Sequence, residues 1–376
     1  MSGNLVLRGG RVIDPANGID RIADVVIADG KIAGFDIDAP RNAEVVDAAG
    51  AIVTPGLIDL HTHVYWGGTS LGVDPDDYAL KSACTTLVDA GSAGPGNYHG
   101  FAKHVIEPAF SRVLAYLHVS FAGIYAFSSG VRVGESDNMR LMAAREAAIV
   151  ARAHPDTVIG IKVRLGAHAS GPSGIMPLDV ALDVADETGL PLMVHIDEPP
   201  PSYGEVVSRL RKGDVLTHCF RPFPNAPMHG DGTVRAEVRA ARERGVIFDI
   251  AHGQGSFSWK SARAMLAEGF RPDVISSDIH SLCINGPAHD NLRVMTKFMA
   301  LGWSLPEVVE ASSVAPARAL RRDDLGHLGI GAVGDVSVFR EAMGDIALDD
   351  VTGLVINYDR CLTSVGIARA GMWRAA

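Results

Sequence analysis

The sequence predicts an α/β protein, a (β/α)₈ barrel carrying a small split β domain formed by both chain termini. Three observations lead there. After Pro55, short β-branched or aliphatic runs alternate with longer Ala-rich stretches, the rhythm of repeated βα units. Eight such units fit within residues 55–328, close to the ~250 residues of a typical barrel. On either side of them, in residues 1–54 and 329–376, the chain reads as strands and turns. A doubly wound open sheet is the alternative, but no GxGxxG follows the first strand of the repeating region.

The N-terminal segment opens with Asn4-Leu5-Val6-Leu7 before Gly9-Gly10. Asp24-Val25-Val26-Ile27 and Lys31-Ile32-Ala33-Gly34-Phe35 flank Asp29-Gly30, a strong two-residue hairpin signal. Residues 44–47 and 51–53 continue the β pattern. The barrel strands are expected at 57–61, 85–89, 113–119, 158–163, 192–195, 215–218, 246–250 and 274–277. Helices are expected at 138–152 and 234–244 from apolar residues at three-to-four spacing, and at 177–189, closed by Gly189. Residues 334–339 and 353–357 return to β character and complete the sheet begun at the N-terminus.

In such a barrel the active site lies at the carboxyl ends of the strands. Strand one ends in His61-Thr62-His63, and side chains two apart point to one side. Two neutral imidazoles converging there form half of a divalent-metal site. Strand four runs into Lys162, strand five ends in His195, strand six in His218, and strand eight is followed by Asp278. Taken singly, His195 and His218 read equally well as core histidines, and Asp278 as the cap of a following helix. Lys162 is harder to explain as packing, because a lysine on an apolar strand is costly to bury unless paired or altered. Burial lowers its pKa, and a neutral amine reacts with carbon dioxide to give a carbamate able to bridge two metal ions.

Composition bounds the alternatives. At 376 residues, 47% hydrophobic and 21% charged, the chain suits a large domain plus a small one. A net charge of −10 argues against nucleic acid as a partner. Four scattered cysteines without a CxxC pair suggest neither a disulfide framework nor a zinc finger. No apolar run is long enough to span a membrane and no signal sequence precedes the first strand, so a cytoplasmic location is expected.

The set His61-x-His63, Lys162, His195, His218 and Asp278 resembles the amidohydrolase superfamily in its binuclear, carboxylated-lysine form. The opening PGLIDLHTH and the GIGAVGDVSVF at 329–339 are similar to the family's entry to the barrel and return to the small domain. GIKVR (160–164), PLMVHIDEPP (191–200), DVLTHCF (214–220), FDIAHGQGSFS (248–258) and SSDIHSLCIN (276–285) resemble the deacetylase branch, whose members are commonly confused with dihydroorotases. The resemblance implies two divalent ions. His61, His63 and Asp278 would hold the more buried one, and His195 and His218 the more exposed one. A carbamate on Lys162 and a hydroxide would bridge them, with Asp278 moving the proton. The ligands suit zinc and also accept manganese, iron or cobalt. One uncancelled positive charge would favour a small anionic substrate, and relatives of this architecture associate, so a homo-oligomer is expected.

For substrate contacts the sequence offers Arg164 as a carboxylate clamp on the face of Lys162, with a plain salt bridge as the alternative. His252 could donate to a substrate oxygen, and His280 could orient substrate or a ligand. Tyr65, Trp66, Tyr125 and Phe127 could wall an apolar pocket, and Asn97-Tyr98-His99 could reach into it. Dihydroorotases resemble one another in placing arginine two residues after the HxH pair, where this chain has Tyr65. The expected reaction is therefore hydrolysis of an α-acyloxy or N-acyl carboxylate. A cyclic-amide hydrolase or deaminase, and a silent assembly protein on the same fold, stay open.

Overall fold

The computed structural model describes residues 3–376. The N-terminal strands are β1 (Leu5–Asp14), β2 (Ile19–Ala28), β3 (Lys31–Phe35), β4 (Glu44–Asp47) and β5 (Ile52–Pro55). The C-terminal strands are β13 (Val336–Asp349), β14 (Val355–Arg369) and β15 (Met372–Ala375). They form one sheet in the order β15-β14-β13-β5-β1-β2-β3, with β4 pairing β1. Asp29 and Gly30 make the expected two-residue turn between β2 and β3, both with positive φ (50° and 77°). Gly9-Gly10 is not a turn. β1 continues through it with a register shift against β2, and Gly9 takes a φ of 70°, so the pair forms a bulge.

Seven parallel strands make the barrel wall. They are β6 (Leu57–Thr62), β7 (Cys84–Ala90), β8 (Arg112–His118), β9 (Val158–Leu165), β10 (Leu192–Ile196), β11 (Val215–Leu216) and β12 (Ile247–Phe248). The eighth position is held by residues 274–279 through two single parallel bridges, Asp249 to Val274 and Thr62 to Ile279. The sixth, seventh and eighth strands are thus shorter than the sequence predicts. His218, Ala251 and Asp278 have φ of 63°, 40° and 50°, and a left-handed residue ends a strand. Closure is completed by side chains. Asp59 accepts from the Ser277 N–H (2.9 Å), the Ser277 hydroxyl (2.5 Å) and the Tyr78 hydroxyl (2.7 Å), tying strand one to residues 276–278.

Ile58, Leu60, Val88, Leu114, Tyr116, Met193, Val215 and Val274 fill the barrel interior as one cluster. Each contributes about 1.5–3 kcal/mol on burial and floors the cavity above. Outside the wall, Met176–Thr188 closes with Gly189 as expected, and Ala236–Arg244 ends at Gly245. The predicted helix at 138–152 is broken. Only Ala144–Ala153 is α-helical, because the Ala143 N–H donates to Val119 O (3.0 Å) and Met142 bridges Ser120. The β13–β14 hairpin reaches from the small sheet to the barrel, where Trp259 Nε1 donates to Leu348 O (3.1 Å) and the Trp259 N–H to Asp350 (2.9 Å). Among the described residues no helix is long and apolar enough to cross a membrane.

Candidate metal centre

The carboxyl ends of the strands surround a cavity of about 510 Å³ lined by His61, His63, Lys162, Arg164, His195, Asp278 and His280. His61 and His63 converge as the HxH spacing predicts: their Nε2 atoms lie 3.3 and 3.2 Å from the same oxygen, Asp278 Oδ1. His61, His218 and Asp278 each offer a ligand atom within 4.8 Å of one another, a set able to hold a metal ion. His195 Nδ1 faces His218 Nε2 at 2.6 Å. Asp278 caps no helix, since the next one begins at Asn291.

The surroundings fix which ring nitrogens face inward. His218 Nδ1 donates to Ala251 O (2.8 Å), which leaves Nε2 unprotonated, with its lone pair directed inward toward His195 Nδ1. His63 Nδ1 pairs with the Ser92 hydroxyl (2.9 Å), and Ser92 is held by its N–H to Asp89 (2.7 Å). His61 Nδ1 is 3.5 Å from Asp249 Oδ2, while the other oxygen of Asp249 accepts from the Ser276 hydroxyl (2.5 Å). Carboxylates and carbonyls behind imidazoles orient metal ligands in this way.

The electrostatics describe a site in which burial disfavours the charged form of each donor. Burial holds His61, His195 and His218 well below the usual imidazole range, and His63 at about 3, so all four are neutral donors near pH 7. Burial also raises the carboxyls of Asp278 to about 6 and Asp249 to about 8. Lys162 is fully buried and its Nζ has no hydrogen-bond partner, and burial lowers its amine to about 7. Neutral bases, destabilised carboxylates and an orphaned amine around one cavity are the donor set that divalent cations satisfy. Strand two contributes no donor and instead makes room. A Cβ on Gly91 (φ 91°) would sit 2.6 Å from Lys162 Cγ and 3.1 Å from His118 Cδ2.

Not every expected substrate contact reaches the cavity. Arg164 does, but Nη1 is 3.3 Å from Glu135 Oε2, so it has a carboxylate partner already. His280 lines the wall near Phe127, their ring centres 6.3 Å apart. His252 does not line it: the ring is buried, stacks on Phe257 and meets Lys297 Nζ at 2.7 Å, because the loop after β12 folds toward the hairpin tip. Tyr125 and Trp66 are exposed outside the cavity, Tyr65 packs on Phe101, Tyr98 is buried against Thr157, and His99 faces solvent. Of the aromatics only Phe127 lines the wall, with the Arg164 guanidinium 5.1 Å above its ring. Four residues were missed: His118, Glu135, Asp249 and Arg221. Asp249 and Arg221 follow strand-end positions and could have been found by extending that rule. Glu135 sits in an irregular loop and gives no local signal.

A family model for the amidohydrolase family matches residues 52–357. The chain belongs to the amidohydrolase family. The family is generally metal-dependent, and this amidohydrolase is a hydrolase. It is similar to a deacetylase of Agrobacterium fabrum, 34% identical over 340 residues, covering 90% of this chain and 83% of that one. A deacetylase of Enterococcus faecalis is 31% identical over 362 residues, 94% of each chain. Among solved structures, one described as an adenine deaminase matches with a TM-score of 0.91 at 29% identity over 100% of both chains. One described as a dihydroorotase matches with a TM-score of 0.89 at 31% identity, covering 100% of this amidohydrolase and 98% of that chain.

Two substitutions test the supports of the centre. Asp249→Asn keeps the shape but removes the carboxylate behind His61, and metal affinity should fall about 10–100-fold, read by chelator competition. Gly91→Ala should lose bound metal and about 1–3 kcal/mol of stability from its left-handed backbone, read by elemental analysis and thermal denaturation. Full metal content in both variants would contradict the arrangement.

Proposed function

We propose that this amidohydrolase is a binuclear hydrolase that removes an acetyl or related acyl group from a small carboxylate, either an α-acetoxy acid or its N-acyl counterpart. The observation that carries the reading is the amine of Lys162, buried without a partner among four neutral histidines and Asp278. That lone pair can add to carbon dioxide with release of one proton, which leaves a carboxylate-like group on the side chain. His61, His63 and Asp278 would hold one divalent ion, His195 and His218 the other, and the modified Lys162 would touch both. Zinc suits these donors, as do manganese, iron and cobalt. When bound, the ions supply a water that ionises near neutral pH and an electrophile for the acyl oxygen.

The chain's own groups do the remainder. Asp278 lies within 3.3 Å of both His61 and His63, and its carboxylate takes the proton from the attacking water and returns it to the leaving oxygen or nitrogen. Arg164 and His280 stand on the wall of the same cavity. The deacetylase names of full-length relatives support acetyl transfer to water. Dihydroorotase chemistry is less well supported, because the position two after His63 carries Tyr65, packed on Phe101 rather than offering a cation to the cavity.

Purified protein should contain close to two equivalents of metal, measured by elemental analysis. Lys162→Ala should lose metal and activity on an α-acetoxy acid together, by 10³-fold or more on the order of magnitude expected for removing metal catalysis. Short-chain carboxylic acids should restore part of both. Full activity in Lys162→Ala would refute the bridging role.

A further inference from the structure

The cavity holds two nearly buried arginines, and the structure separates them. Arg164 faces Glu135 at 3.3 Å. Arg221 has no carboxylate partner. It is 9% exposed, its Nε is buried without a hydrogen-bond partner, and among the described residues no carboxylate oxygen lies within 4.0 Å of its guanidinium. The acids whose charge it feels are engaged elsewhere. Asp197 accepts from the His168 N–H (3.2 Å) and the Ala169 N–H (3.0 Å), and Glu198 is exposed beside the His168 ring. The third cavity arginine, Arg132, is exposed at the rim over Phe127.

Arg221 is also held in place. Its N–H donates to His218 O at 3.1 Å, and its own carbonyl accepts from the Ser261 hydroxyl at 2.8 Å. The guanidinium is therefore carried on a segment pinned to the end of the sixth strand, three residues from a histidine of the centre. A guanidinium keeps its proton at neutral pH, so a buried and unpaired one is a standing cost that an anionic ligand removes.

We propose that Arg221 is the substrate's carboxylate anchor, a specificity-determining residue that restricts the enzyme to esters or amides whose carboxylate lies close to the scissile acyl group. The assignment rests on the hydrolase reading above for the bond cleaved, but the anion site itself does not. Two parallel N–H donors of the guanidinium meet the two carboxylate oxygens. Arg164, neutralised by Glu135, shapes the wall and stacks on Phe127.

The test uses the metal-loaded enzyme with 2-acetoxypropanoate and its uncharged carboxamide, in wild type, Arg221→Met and Arg221→Lys. Wild type should prefer the carboxylate. Arg221→Met should lower that preference, as a ratio of kcat/KM values, by on the order of 100-fold and mainly through KM. Arg221→Lys should recover part of it, since an ammonium supplies the charge without the fork. Calorimetric titration with 2-hydroxypropanoate reads the anion site without turnover, and its affinity should fall by a similar factor in Arg221→Met. An unchanged preference together with unchanged 2-hydroxypropanoate binding overturns the anchor and leaves the hydrolase reading standing. No turnover of either ester, but Arg221-dependent binding, upholds the anchor and removes the proposed reaction. No turnover and Arg221-independent binding remove both.

Discussion

Burying an amine, four imidazoles and two carboxylates at one rim, out of reach of solvent, is the constraint on which the rest of this structure depends. Each group is forced toward its neutral form: His63 to about 3, Lys162 to about 7, Asp278 to about 6. A fold does not keep such a cluster for stability, because every member would be better solvated outside. The barrel tolerates it because its lower half is an ordinary apolar core, with Ile58, Tyr116, Met193 and Val274 packed beneath the polar rim. Stability and chemistry are thus separated along the strand direction.

The rim departs from regular structure where it must. Three non-glycine residues at the ends of strands six to eight adopt left-handed backbone, and two of them, His218 and Asp278, point donors inward. Such conformations are costly for most side chains, but histidine and aspartate accept them more readily than others. The shortened ladders are compensated by Asp59, Ser276 and Ser277, whose side chains supply hydrogen bonds that a regular eighth strand would have made. The small sheet takes part too. Its hairpin tip fixes Trp259 and, through the backbone of Asp349, Lys297, so the loop carrying His252 is braced from outside rather than offered to a ligand.

The positive side of the cavity follows the same logic of pairing. Arg164 lies where a carboxylate clamp was expected, yet Glu135 from a distant loop has taken that role. Glu135 is itself kept ionised against its burial by Arg164 and His118. Arg221 has no such partner. The difference between a structural cation and a free one is a matter of which acid lies within reach, and reach is a property of the folded chain.

Much of the centre was legible because strand periodicity and the barrel rule together convert positions along the chain into positions in space. His61, His63, Lys162, His195, His218 and Asp278 were placed at strand ends by short-range pattern alone, and the structure brings them around one cavity. The two-residue turn at Asp29-Gly30 was legible for a similar reason, since its geometry is set by local backbone preference. Tertiary structure decided what depends on contacts between remote segments: Glu135 against Arg164, His252 against Lys297, Asp59 against Ser277, and the exposure of Tyr125. Local sequence determines which side chains stand at the rim, because backbone period is a short-range property. Which of them remain unpaired, and so available for chemistry, is set by neighbours remote in the chain, as Ser277 is 218 residues from Asp59, and only the closed barrel selects them.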